Sequence, residues 1–104
     1  MTIQEHLLTC LIEECGEIIQ ATTKSLRFGL YDGYPGTDRI NIQDIYFELM
    51  DLIAVLEALH DNNKEIDLFP YYEMKHSDDL YIIKKKEKIL KYIEYAKTKG
   101  TIVE

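Results

Sequence analysis

Apolar residues at Ile3, Leu7, Leu11, Ile18 and Ala21 recur at helical spacing and predict a first helix that runs until "RFG" closes it at Gly29. Thr2 followed by Glu5 at its start is a capping-box pattern. A second stripe, Ile45, Leu49, Leu52, Val55 and Leu59, predicts a helix capped by Asn41 or a neighbour and ending near Leu59. Ile82, Ile83, Ile89, Leu90, Ile93 and Ala96 form the stripe of a final helix. Ser77 is its expected cap, Asp78 and Asp79 suit its positive end, and it stops before Gly100. Glycines, a proline and aspartates crowd "LYDGYPGTDRI", which predicts a loop. "HDNNKEIDLFPYYEMKH" reads as an irregular connection with Ile66, Leu68 and Phe69 as apolar anchors and room for one helical turn. No alternating strand pattern or repeat competes, so the expected fold is an all-α bundle of about four helices.

A chain of 104 residues, 46% hydrophobic and 30% charged, suits a single domain spanning 1–104. Its formal charge of −7 argues against binding bare nucleic acid through counterion release, and the lysines are concentrated between Lys84 and Lys99. A phosphorylated small molecule held through a metal remains compatible with that charge. Cys10 and Cys15 point in different directions from one helix, which rules out a disulfide between them and leaves them as small buried hydrophobes. The start "MTIQEHLLTC" lacks a basic leader, and no apolar run approaches the roughly 20 residues needed to span a bilayer. The expected setting is the cytoplasm, with no membrane partner.

Acids on the apolar faces change the picture. Glu14 falls amid Leu7, Leu11, Ile18 and Ala21, and Glu17 lies about 60° away at the edge of that stripe. Glu48 falls between Ile45, Leu49, Leu52, Val55 and Leu59, with Asp51 flanking it by the same angle, about 60°. Ionised carboxylates in an apolar setting are costly, and several together repel, so a positive partner is expected. "ExxE" on one helix and "ExxD" on the next bring four oxygen-bearing groups within reach of hard divalent cations. Mg²⁺ fits best because it is commonly held by carboxylates together with substrate phosphates. The competing reading pairs these acids with lysines on a solvated face, which suits Glu13 and not Glu14 or Glu48.

"EECGE", "KSLRFG" and "ELMDLIAVLEAL", in that order, resemble the MazG-like group of all-α nucleoside triphosphate pyrophosphohydrolases over roughly the first sixty residues. The resemblance implies metal ligation and catalysis by Glu14, Glu17, Glu48 and Asp51, with Mg²⁺ (or Mn²⁺) held against a triphosphate. It implies Lys24 and Arg27 as phosphate contacts. Lys24 lies about 20° from the direction of Glu17, which agrees with that role, while dipole-complementing charge at a helix end is the alternative for both. Asp44 reads either as an additional or outer ligand or as an ordinary helix N-terminal acid.

The implied reaction is hydrolysis of a (d)NTP to (d)NMP and pyrophosphate, serving nucleotide-pool control or housecleaning. A short chain builds few layers around a nucleotide, and relatives of this family complete their sites with a second subunit, so a homodimer or homotetramer is expected. Thirty residues separate Glu17 from Glu48, an extended spacing that bears on substrate choice. Without tryptophan, base stacking would fall to tyrosine, phenylalanine or histidine. Tyr31, Tyr34 and Tyr46 lie around the loop, with plain packing as their alternative role.

Two other readings compete. "EALH" and "EMKH" spell the Glu-x-x-His of di-iron bundles, but Glu57 lies about 180° around the helix from Glu48 and cannot share its site. A non-catalytic metal- or nucleotide-binding helical protein is the other.

Overall fold

The computed structural model describes residues 1–65 and 80–103, which fall into two compact units, Met1–Leu68 and Phe69–Glu104. The described residues are helical, with one isolated antiparallel bridge, Gly33 to Ile40, and no named strand. Three helices are described, α1 (Ile3–Phe28), α2 (Asn41–Asn62) and α3 (Leu80–Thr98). The irregular connection, its apolar anchors and the Ser77–Asp79 cap lie outside the described residues.

In the first unit α1 and α2 pack against each other as a helical hairpin. Thr2 and Glu5 form the reciprocal capping box, with Glu5 N–H donating to Thr2 Oγ1 at 3.1 Å and Thr2 N–H to Glu5 Oε1 at 3.4 Å. The helix stops at Gly29, whose φ of 100° and ψ of 150° lie in a region essentially restricted to glycine. α2 starts where expected, capped by a neighbour of Asn41, and runs further than expected at its far end. Its N-cap is Ile40, which has no acceptor on its side chain; Gln43 Oε1 instead accepts from the Ile40 N–H at 3.0 Å. Asn41 is the first helical residue, and its buried side-chain amide donates to the Gly29 carbonyl at 2.8 Å, tying the start of α2 to the end of α1. The far end runs to Asn62, past Leu59.

Small side chains at the crossing, Ala21 and Ser25, are buried together with Asn41 and Leu59. The expected α1 stripe faces inward but only partly covered, since Leu7, Leu11 and Ile18 are half-buried. Cys10 is half-buried and Cys15 exposed, both free thiols, so the expectation of two buried cysteines fails for Cys15. A separate apolar seam runs along α1 through Leu8, Ile12, Cys15, Ile19, Thr22 and Leu26, alternating steps of four and three residues. That rhythm marks a coiled-coil-like face. Ile12, Ile19 and Leu26 are 73%, 67% and 87% exposed on it.

In the second unit, α3 half-buries Ile82, Ile93 and Ala96 and leaves Ile83, Ile89 and Leu90 exposed. It ends in a Schellman motif: Thr101 N–H donates to the Ala96 carbonyl, Gly100 N–H to that of Lys97, and Gly100 takes a φ of 76°. No helix among the described residues is long and apolar enough to cross a membrane.

Candidate metal centre

α1 and α2 each turn one acid-bearing face toward the other. Glu14 comes from α1 and Glu48 and Asp51 from successive turns of α2. One carboxylate oxygen from each of the three lies within 4.8 Å of the other two. Glu14 and Glu48 are half-buried between the helices and Asp51 is exposed. Among the described residues, no lysine or arginine forms an ion pair with any of the three. Pairing with lysines therefore does not explain why these acids meet.

The crowding is visible in their acidity. The Glu14 carboxyl is raised above the ordinary carboxylate range, first by partial burial and then by the negative charges of Asp51, Glu17 and Glu13. Glu48 is raised likewise by burial, Asp51, Glu17 and Glu14, with Arg39 acting in the opposite sense. Three carboxylates from two elements offer oxygen alone, a donor set that suits hard cations of the Mg²⁺, Mn²⁺ or Ca²⁺ kind and offers no soft ligand.

Beside this cluster is a cleft of about 230 Å³ lined by Glu17, Lys24, Arg39, Asp44 and Glu48, with Ala21 at its floor. Glu17 thus stands one helical turn from Glu14, at the edge of the three-acid cluster rather than in it. Lys24 is half-buried on the same face and brings an ammonium group to the cleft. Arg27 does not line it; its exposed guanidinium lies 4.9 Å from the centre of the Phe28 ring.

Arg39 escapes a reading based on helical periodicity, because it sits in the loop before α2. Its Nε contacts Asp44 Oδ1 at 2.8 Å, and its guanidinium lies 4.3 Å from the centre of the Phe47 ring. Asp44 therefore has a basic partner at the cleft wall. The one signal in the chain was an arginine placed just before a helix with an acid in its first turn. Tyr31, Tyr34 and Tyr46 are exposed, with Tyr46 edge-on to the Phe47 ring at 5.8 Å and Tyr34 beneath the Lys24 ammonium at 5.9 Å. Glu57 is not part of the acidic cluster, and Glu73 and His76 lie outside the described residues.

No family model, curated protein or solved structure matches this chain. The likeness to MazG-like enzymes accordingly stands on the motifs "EECGE", "KSLRFG" and "ELMDLIAVLEAL".

Proposed function

We propose that this protein is a Mg²⁺-dependent nucleoside triphosphate pyrophosphohydrolase, converting a (d)NTP to the monophosphate and pyrophosphate. The observation that carries this reading is the convergence of Glu14, Glu48 and Asp51 from two helices beside a cleft that contains Lys24. Glu14, Glu48 and Asp51, joined by Glu17 from the edge, would hold the cation. When bound, it supplies Lewis-acid polarisation of a phosphoryl oxygen and lowers the pKa of a coordinated water.

The chain's own residues do the rest. Lys24 offsets negative charge on the departing pyrophosphate, while Arg27, the other phosphate contact implied by the resemblance, stands over the Phe28 ring outside the cleft. A carboxylate of the cluster accepts the proton of the attacking water. Arg39 holds Asp44 at the cleft wall.

The assembly we propose is a homodimer or homotetramer, with the exposed α1 seam through Ile12, Ile19 and Leu26 covered by a second copy. The setting is cytoplasmic, in nucleotide-pool control or housecleaning.

The test is pyrophosphate release from a panel of ribo- and deoxyribonucleoside triphosphates with and without Mg²⁺, wild type beside Glu48→Gln. Expected is Mg²⁺-dependent release with monophosphate as co-product, reduced about 100-fold or more in the variant. Metal-dependent nucleotide binding without release would instead favour a non-catalytic binding protein.

A further inference from the structure

The loop between α1 and α2 borders a second, open hollow of about 250 Å³, lined by Lys24, Phe28, Asp32, Gly33, Tyr34 and Asn41. It shares Lys24 with the acidic cleft, so the two hollows adjoin at one residue. The loop around it is built rather than slack. Asn41 N–H donates to the Asp32 carbonyl at 2.8 Å, Ile42 N–H to that of Leu30 at 3.0 Å, and the Asn41 side chain to that of Gly29 at 2.8 Å. Gly33 bridges to Ile40 and approaches the Arg39 carbonyl so closely that a Cβ there would collide with it.

Two aromatic rings stand at this cavity, and both remain largely in solvent, Phe28 at 58% and Tyr34 at 74% exposed. Neither makes a ring–ring contact among the described residues; each instead meets a cation, Arg27 over Phe28 at 4.9 Å and Lys24 over Tyr34 at 5.9 Å. An aromatic face left in water at the wall of a hollow is available to a flat ligand. The volume is below the roughly 300–1,000 Å³ of sites that enclose a drug-sized molecule, which suits one ring system rather than a whole nucleotide. Polar groups at Asp32 and Asn41 stand beside the rings.

We propose that this cavity receives the base of the nucleotide, stacked on Tyr34, while the phosphates run past Lys24 into the acidic cleft. The inference rests on the nucleotide reading of that cleft and makes Tyr34 a specificity-determining residue. The protein should then bind a base-bearing triphosphate better than the bare polyphosphate chain.

Calorimetric titration in Mg²⁺ separates the two ideas. The ligands are inorganic triphosphate and four α,β-methylene deoxynucleoside triphosphates, one for each base. The proteins are wild type, Tyr34→Ala and Tyr34→Phe. Expected is tighter binding of at least one nucleotide than of inorganic triphosphate. Tyr34→Ala should lose about 5- to 150-fold for that nucleotide, the effect of removing one stacking face. Tyr34→Phe retains the affinity, and inorganic triphosphate binds all three proteins alike, which also reports an intact fold. Equal affinity of wild type for nucleotides and inorganic triphosphate overturns the base cavity and leaves the acidic cleft standing. So does an equal loss for both ligands, or no loss, in Tyr34→Ala. Failure of inorganic triphosphate itself to bind overturns the cleft reading and the proposal with it.

Discussion

Glu14 and Glu48 bind protons more tightly in the folded chain than an ordinary carboxylate, and stability must follow. A raised folded-state pKa means that proton binding favours the folded state. The stability linked to these two groups is complete below the ordinary carboxylate value and is lost as pH rises through their raised values. Partial burial acts first, and Asp51, Glu17 and Glu13 add repulsion in the same direction while Arg39 opposes it at Glu48. The double variant Glu14→Gln, Glu48→Gln should therefore melt above wild type at neutral pH in EDTA, with the gap closing toward pH 4. Thermal melts across that range check it, and a gap independent of pH would contradict the assigned crowding. Addition of Mg²⁺ should narrow the gap at neutral pH by stabilising wild type alone. Glu14 and Glu48 were legible from one sequence because an acid amid Leu11, Ile18 and Ala21 conflicts with its own helix face. Arg39 was not, because its placement depends on the path of a loop.

At the scale of elements, the helix ends divide by how local their causes are. The capping box of Thr2 and Glu5 is a contact between neighbours in sequence, so the pattern alone reveals it. The start of α2 is decided by a tertiary bond: Asn41 has a good capping side chain, but that amide serves Gly29 twelve residues away, and Ile40 becomes the cap. The α1 seam went unread for a different reason. Ile3, Leu7, Leu11, Ile18 and Ala21 already satisfied a helical period, and Leu8, Ile12, Ile19 and Leu26 form a second one on another side of the same helix. Because Asn41 is buried, Asn41→Ala should cost about 1–2 kcal/mol in urea unfolding through the lost bond to Gly29. Gly33→Ala meets backbone rather than a yielding side chain and should cost about 1–3 kcal/mol. A change below about 0.5 kcal/mol at both positions, the range of ordinary surface substitutions, would show that the loop is not braced where α1 and α2 join.

For the molecule as a whole, Ala21 and Leu59 are the buried apolar residues among those described, while Ile12, Ile19 and Leu26 lie open. An exposed apolar seam of that length is a surface for association. Light scattering at micromolar concentration should give a small multiple of the 12.2 kDa chain mass. Ile19→Glu should shift the mass toward that of one chain and lower the melting temperature. A monomeric wild type would remove the seam's proposed occupant. The order in which the chain organises also bears on the acids. Glu14, Glu48 and Asp51 all belong to one hairpin closed by the loop at Gly29–Ile40. Glu14 stands 34 residues from Glu48 and 37 from Asp51, so these acids meet only when the hairpin closes. If closing the hairpin is the rate-limiting step, like charges meet at the barrier itself, before later packing compensates. Glu48→Gln should accelerate refolding in stopped-flow mixing with EDTA and leave the unfolding arm nearly unchanged. An effect confined to the unfolding arm would place the meeting of the carboxylates after the rate-limiting step. The same cluster that we assign to catalysis would thus act as a brake on its own formation, released by whatever neutralises it.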